Sequence, residues 1–321
     1  AISRQYKYDA IYLIAIITIS IKVMKTMSYL KSNIIGVISL FLILSELIIG
    51  FSTLAIVNIP RTVIRSQKFK VFLHKLSNQI GEVTVLGLKY IMQLMYGKDS
   101  IQVIGKKDLS INEWYLAMSN HSSWADIFVI LVATNYRIPL LKIFMKKELW
   151  WIPFVFLANK TLNMPFVHRH SRAEIEKNPD LRYKDYENTI LSCKRFHRSP
   201  TTVFSYAEGT RYTDKKHLEQ DSPYINLLKP KVGGIATALS AIPQINKLLD
   251  FTIVYESKKK SSWAFLKGDM RNVKIHIEEY EIPENLKNKN YLNDDLYRNN
   301  FKDWIDGLWI KKDAKFEELK F

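Results

Sequence analysis

Apolar residues run almost without a break near the start of the chain and recur at regular intervals further on. Residues 33–59 carry a single charge, Glu46, among Ile, Leu, Val and Phe. As a helix that stretch is long enough to cross roughly 30 Å of hydrocarbon; the core helix of a soluble domain would have the same composition. A carboxylate at that depth costs on the order of 3 kcal/mol on insertion scales, which the surrounding side chains offset, so Glu46 is expected to be protonated or to face a partner. An earlier uncharged run, residues 10–21, suits an interfacial helix, a second tilted span or a signal-like apolar region.

The period then changes. Val63, Ile64, Val71, Phe72, Leu76, Ile80, Val83, Leu86, Leu88, Ile91, Leu94 and Met95 recur at helical spacing, with Arg61, Arg65, Lys68, Lys70 and Lys75 beside them. This predicts an amphipathic helix, either along a membrane surface or packed on the following domain with its basic side in water. Beyond residue 100, short runs rich in branched and aromatic residues alternate with helical stretches. Strands are expected at 114–119, 138–145, 162–167, 201–206, 250–255 and 272–279, and helices at 180–198, 234–241 and 294–320. The last helix has an apolar stripe of Leu296, Phe301, Trp304, Ile305, Leu308 and Trp309, with Asp294 or Asp295 as its cap. The reading is an α/β domain over 101–321, preceded by hydrophobic membrane segments over 1–60 and a basic amphipathic region over 61–100. The polar stretch Glu256-Ser257-Lys258-Lys259-Lys260-Ser261-Ser262 reads as a turn, solvated or touching lipid headgroups.

Composition narrows the partners. Of 321 residues 47% are hydrophobic, and only 11 Gly and 10 Pro are present, which excludes a disordered chain. The single Cys193 rules out an internal disulfide, and seven His without ligand spacing give no metal site, so no metal and no cofactor is expected. The formal charge of +16 calls for an anionic partner. Nucleic acid and a phospholipid membrane both qualify, but no zinc finger, RNA-recognition or helix-turn-helix signature accompanies the charge, and the N-terminal apolar run favours the membrane. Five cations follow the long run and three, Lys22, Lys25 and Lys31, precede it, a modest vote for a cytoplasmic domain.

The candidate chemistry lies in two strand-to-turn junctions. Asn120-His121-Ser122-Ser123-Trp124-Ala125-Asp126 places an imidazole and a carboxylate five positions apart where a strand gives way to a helix, with Ser122 or Ser123 as the expected helix cap. Asp126 can accept a hydrogen bond from His121 Nδ1, fixing the tautomer that leaves Nε2 free to take a proton. Val203-Phe204-Ser205-Tyr206-Ala207-Glu208-Gly209-Thr210-Arg211 repeats the layout, an apolar strand entering a polar turn. Ligands of open α/β sheets sit beyond the carboxyl ends of strands, so the two turns are expected to meet in one cleft. Gly209 allows close backbone approach, and Arg211 offers a planar fork for phosphate. Ser122 and Ser205 are weaker, nucleophile candidates.

His-x4-Asp followed by Glu-Gly-Thr-Arg resembles the first and third blocks of the PlsC-type 1-acylglycerol-3-phosphate O-acyltransferases, nearest to the bacterial YihG branch. Asn163-Met164-Pro165-Phe166-Val167-His168-Arg169 is similar to that family's second block, and 227–234 and 249–255 to the segments that close its site. The second block usually opens with Gly where Asn163 stands, and the third has Pro where Ala207 stands. The resemblance implies a mixed sheet flanked by helices, of the glycerol-3-phosphate acyltransferase type, with N-terminal membrane-associated helices. It implies His121 as general base oriented by Asp126. It assigns Arg169 and Arg211 to the acceptor phosphate, Glu208, Gly209 and Thr210 to the turn that holds it, and Lys146 as a further cationic contact. The implied reaction passes a fatty acyl group from acyl-CoA or acyl carrier protein to the sn-2 hydroxyl of lysophosphatidic acid, on the cytoplasmic face of a bacterial inner membrane. A thioester or lipid hydrolase using the same pair, another lysophospholipid as acceptor, and a noncatalytic module binding anionic lipid are the alternatives.

Overall fold

The computed structural model describes residues 2–64, 66–143, 145–146, 156, 161–162, 164, 166–167, 172–178, 180–287 and 289–321. Helices α1 (Ile2–Asn58) and α2 (Gln67–Tyr96) come first, then strands β1 (Ile101–Gly105) and β2 (Tyr115–Ser119), helix α3 (Asp126–Thr134), and strands β3 (Leu141–Ile143), β4 (Met145–Lys146) and β5 (Phe166–Val167). Helices α4 (Arg172–Lys177) and α5 (Asp180–Cys193) lead to β6 (Thr202–Tyr206), followed by α6 (Asp214–Glu219), α7 (Gly233–Ala241), β7 (Lys247–Tyr255), α8 (Ser262–Leu266), β8 (Val273–Glu281) and α9 (Asp295–Leu319).

The main sheet runs β1-β8-β7-β2-β6-β3. Only the β7–β8 pair is antiparallel, so the sheet is mixed. Alternate side chains of β2 serve opposite faces, as the period of two requires. Leu116 and Met118 join Val203, Leu248 and the helices α7 and α9 in one apolar cluster. Tyr115 and Ala117 join Phe204, Phe251, α3, and residues of α1, α2 and α8 in the other. Every residue of β2 is buried, which explains why it reads as a continuous apolar run rather than an alternating one.

The long N-terminal helix does not stand alone. Pro60 opens the short 3-10 turn Ile59–Thr62, where its missing N–H ends α1, and α2 returns against α1 as a hairpin. Asn58 donates to Ser77 Oγ (2.9 Å), a side chain at Gly50 would collide with Thr84, and one at Gly87 would collide with the Glu46 carboxylate. The sole charge of residues 33–59 thus rests in a notch that the missing Cβ of Gly87 provides. Among the described residues one helix, Thr26–Arg61, is long and apolar enough to cross a membrane, and only 22% of its most apolar stretch is buried, unlike a core helix. Val71, Phe72, Val83, Tyr90 and Leu94 of α2 are exposed beside it, so α2 packs on α1 and on the sheet side while keeping an apolar outer side.

Several boundaries differ from the sequence reading. Residues 10–21 belong to α1 rather than to a separate element. β1, with four of its five residues exposed at the sheet edge, lacks the buried run that marks the others. Of residues 138–145, Leu141–Ile143 pairs in the main sheet with β6, while Met145 pairs with β5 in a separate two-stranded sheet. Among the described residues of 162–167, Phe166–Val167 is strand.

Candidate active site

β2 and β6 are neighbours, parallel, with Ser119 aligned on Tyr206. Two residues past that aligned pair stand His121 and Glu208, so the register alone sets the two turns side by side. Asn120 continues the sheet where β2 has stopped: its side chain donates to the Ile253 carbonyl and accepts from the Ile253 N–H, both at 2.9 Å. That buried clamp fixes where the chain leaves the sheet and delivers His121 to its edge.

His121 Nδ1 lies 2.9 Å from Asp126 Oδ2. Asp126 is the first residue of α3 and is fully buried. Oδ2 also accepts from the Ser122 and Ser123 N–H groups at 2.7 and 2.9 Å, and Oδ1 accepts from the Tyr255 hydroxyl at 2.7 Å. The expected capping is therefore reversed. No serine side chain caps α3; the carboxylate itself reaches back to the two amides of the turn, while Ser123 Oγ accepts from Ala125 N–H and donates to the Lys260 carbonyl. Four donors surround one buried carboxylate, the condition under which a charge survives burial. Burial and the Asp126 charge together hold the Tyr255 phenol protonated, well above its ordinary range. The imidazole also stacks on Tyr206 at 3.9 Å between ring centroids, nearly parallel. With its Nδ1 side engaged and its face covered, His121 remains 18% exposed, enough for a reactant to reach it.

Glu208 ties the two turns together. Oε2 accepts from the His121 N–H (3.1 Å) and Oε1 from the Leu228 N–H (3.3 Å). Its burial pushes its pKa up to about 8, against the opposing pull of those two amides and of Lys312. Gly209 adopts φ +66°, a left-handed conformation, and a Cβ there would press on the Lys231 side chain. Thr210 Oγ1 and the Arg211 carbonyl accept from Lys216 Nζ at 2.7 and 3.1 Å, while the Arg211 side chain is exposed. Tyr212 N–H donates to the His121 carbonyl (2.7 Å), closing the seam between the turns.

The C-terminal helix α9 braces this arrangement from below. Trp309 Nε1 donates to the Leu228 carbonyl, and Asp313 accepts from the Ile225 and Asn226 amides. Lys312, fully buried, donates to Asp250, the Phe251 carbonyl and Thr252.

The structure thus brings together His121, Asp126, Glu208, Gly209, Thr210 and the backbone of Arg211. Arg169 lies outside the described residues, as do Asn163, Pro165 and His168, and Lys146 is described only as the end of β4. Sequence reasoning missed Tyr206 and Tyr255 as partners of the His–Asp pair, because an aromatic residue at a strand end reads as core. It missed Lys312 and Asp313 because they follow the last residue of an apolar stripe that was assigned to packing, where charged residues read as solvated.

Residues 100–255 match the family model described as Acyltransferase. Over that span the chain is similar to acyltransferase-family domains. The matched region begins just before β1 and ends with β7, so it contains both turns but neither the α1–α2 hairpin nor α9. The chain is also 25% identical over 235 residues to a Saccharomyces cerevisiae 2-acyl-1-lysophosphatidylinositol acyltransferase, covering 64% of this chain and 56% of the relative. It therefore spans little more than half the length of that curated relative. Among solved structures, the 1-acyl-sn-glycerophosphate (LPA) acyltransferase PlsC from Thermotoga maritima aligns with a TM-score of 0.48 and 16% identity, covering 88% of this chain and 98% of that one. None of these comparisons singles out the bacterial YihG branch.

Proposed function

We propose that the protein is a membrane-bound acyltransferase that moves a fatty acyl group from a thioester donor, acyl-CoA or acyl carrier protein, to a hydroxyl of an anionic lysophospholipid. The observation that carries this reading is the His121–Asp126 pair set beside the Glu208 turn by two aligned parallel strands, inside a span that matches the acyltransferase family. Asp126 holds Nδ1–H, and Nε2 takes the proton of the acceptor hydroxyl as its oxygen attacks the thioester carbonyl. The tetrahedral intermediate collapses with cleavage of the carbon–sulfur bond, and the leaving thiolate takes the proton back from the imidazolium. No acyl-enzyme forms, and no metal enters any step.

Arg211, Arg169 and Lys146 are the proposed contacts to the acceptor phosphate, with Glu208, Gly209 and Thr210 shaping the turn. An apolar cavity of about 240 Å³ between the hairpin and β3, lined by Phe51, Leu54, Leu88, Leu131, Leu141 and Ile143, fits the acyl chain. Lysophosphatidic acid, acylated at sn-2 to phosphatidic acid, is the first choice of acceptor. Lysophosphatidylinositol is the second, favoured by the name of the yeast relative. The location belongs to the same reading: α1 in lipid and the cleft on the cytoplasmic side, of a bacterial inner membrane by the branch resemblance or of a eukaryotic membrane by the yeast relative.

The test is acyl transfer by the purified full chain in detergent micelles. Labelled acyl-CoA and acyl carrier protein are offered with lysophosphatidic acid, lysophosphatidylinositol, glycerol 3-phosphate or no acceptor. A labelled phospholipid product supports the proposal. Free fatty acid at the same rate with and without acceptor identifies a hydrolase, and lipid binding without turnover identifies a noncatalytic module.

A further inference from the structure

Between β7 and α8 the chain carries three consecutive lysines, Lys258, Lys259 and Lys260, and the fold treats the third differently from the other two. Lys258 and Lys259 are exposed; Lys260 is half-buried. Its carbonyl accepts the Ser123 hydroxyl at 2.9 Å, which ties this loop to the turn carrying His121 and Asp126. Downstream the same segment is fixed to the hairpin: Trp263 Nε1 donates to Asn33 Oδ1 (3.0 Å), and Lys267 Nζ stands 5.7 Å from the centre of the Tyr29 ring. The backbone of this loop is therefore pinned at Lys260 and again at Trp263. The carboxylates its ammonium senses are Asp126 on the first turn, Glu208 on the second and Asp214 at the start of α6, and burial lowers its pKa against their pull. The Lys260 backbone thus lies against the turn that carries His121 and Asp126, and its side chain leaves the main chain beside that turn.

We propose that Lys260 contacts the phosphate of the acyl acceptor, holding the lysophospholipid headgroup over His121. The inference rests on the acyltransferase reading above and adds to it a residue beyond the matched span of 100–255. The acceptor is the better source of the phosphate on chemical grounds. In a glycerophospholipid the phosphorus is a few bonds from the attacking hydroxyl, so a cation beside the base reaches it. In coenzyme A the pyrophosphate is a whole pantetheine arm away from the thioester. Lys260 adds its charge to that of Lys216, held at Thr210 and the Arg211 carbonyl, and so favours an anionic headgroup beside the two turns.

Steady-state kinetics of the full chain in micelles, with Lys260→Met, Lys260→Arg and the exposed control Lys259→Met, test this. Loss of one charge-assisted contact should raise the KM for lysophosphatidic acid about tenfold or more in Lys260→Met. The donor KM and the saturated kcat should stay within about threefold, the arginine variant should recover most of the affinity, and the control should match the parent. An unchanged acceptor KM overturns the proposal. So does a rise confined to the KM of acyl-CoA, which would reassign the lysine to the donor, and so does a shifted pH profile with both KM values unchanged, which would reduce Lys260 to charge balance for Asp126 and Glu208. If the parent protein transfers no acyl group, it is the functional reading that fails. Binding of lysophosphatidic acid micelles to parent and Lys260→Met then decides the lysine's role directly, with equal binding overturning it.

Discussion

The proposed role of His121 as a base depends on one of its nitrogens being committed. The 2.9 Å contact to Asp126 fixes the tautomer, and Tyr255 with the Ser122 and Ser123 amides keeps that carboxylate in place. His121→Ala should lower kcat by at least about 10²-fold while the chain still folds and associates with membranes, as measured by transfer assay and flotation. Tyr255→Phe removes one hydrogen bond to a charged acceptor and should cost roughly tenfold in kcat, with acceptor KM little changed; a Tyr255→Phe enzyme with parental kcat would show that the amides suffice. Glu208 leaves a mark on stability as well. Its pKa rises from an ordinary 4.5 to about 8 through burial, so between those values the folded chain keeps a proton that the unfolded chain releases. By linkage, this contribution to stability is complete below pH 4.5 and is lost as pH rises through 8. Urea unfolding of Glu208→Gln across that window should show the slope reduced relative to the parent. At this scale the sequence was informative about His121, Asp126 and Glu208, whose types and spacing state their chemistry. It was silent about Tyr206 and Tyr255, whose roles arise from a stacking plane and a hydrogen bond that join residues far apart in the chain.

Elements place these residues, and two glycines show how. Gly209 turns the chain out of β6 in a left-handed conformation with Lys231 against it. Gly209→Ala should destabilise the fold by roughly 1–2 kcal/mol from backbone strain alone, visible as a lower Tm, and should displace the Thr210–Arg211 turn enough to raise acceptor KM. Gly87 holds open the space that the Glu46 carboxylate occupies. Gly87→Leu should drive the two helices apart, and limited proteolysis should then cut between α1 and α2 faster than in the parent. Periodicity was a sound guide to β2, β6, α7 and α9, and Asp294 does cap the last of these by accepting from the Tyr297 N–H. It missed β1 and merged β3 and β4 into one strand, because an edge strand and a short strand present too few buried positions for a period to register.

Over the whole molecule, the hairpin and the sheet form one packed body. Lys142 on β3 is buried at 2% exposure, donates to Asn78 of α2, and is held by burial at a pKa of about 7. Its folded pKa lies below the ordinary 10.5, so its effect on stability runs opposite to that of Glu208: stability grows as pH rises from 7 towards 10.5. Lys142→Met should abolish that rise in an unfolding series. α1 and α2 keep exposed apolar sides, whereas α9 reaches the site from the far side through Trp309, Lys312 and Asp313.

The sequence by itself determined the kinds of parts. Local composition and spacing are enough to specify an apolar helix, an alternating α/β domain, and two polar turns that carry an imidazole, carboxylates and a guanidinium, since each depends only on neighbours along the chain. The tertiary structure alone decided what those parts do to one another. Parallel pairing of β2 with β6 makes His121 and Glu208 adjacent, burial moves Glu208 and Lys142 away from their ordinary ionisation, and the loop after β7 joins the His121 turn through the Lys260 carbonyl. Register, burial and long-range electrostatics are properties of distances through space, and those come into being when the chain folds.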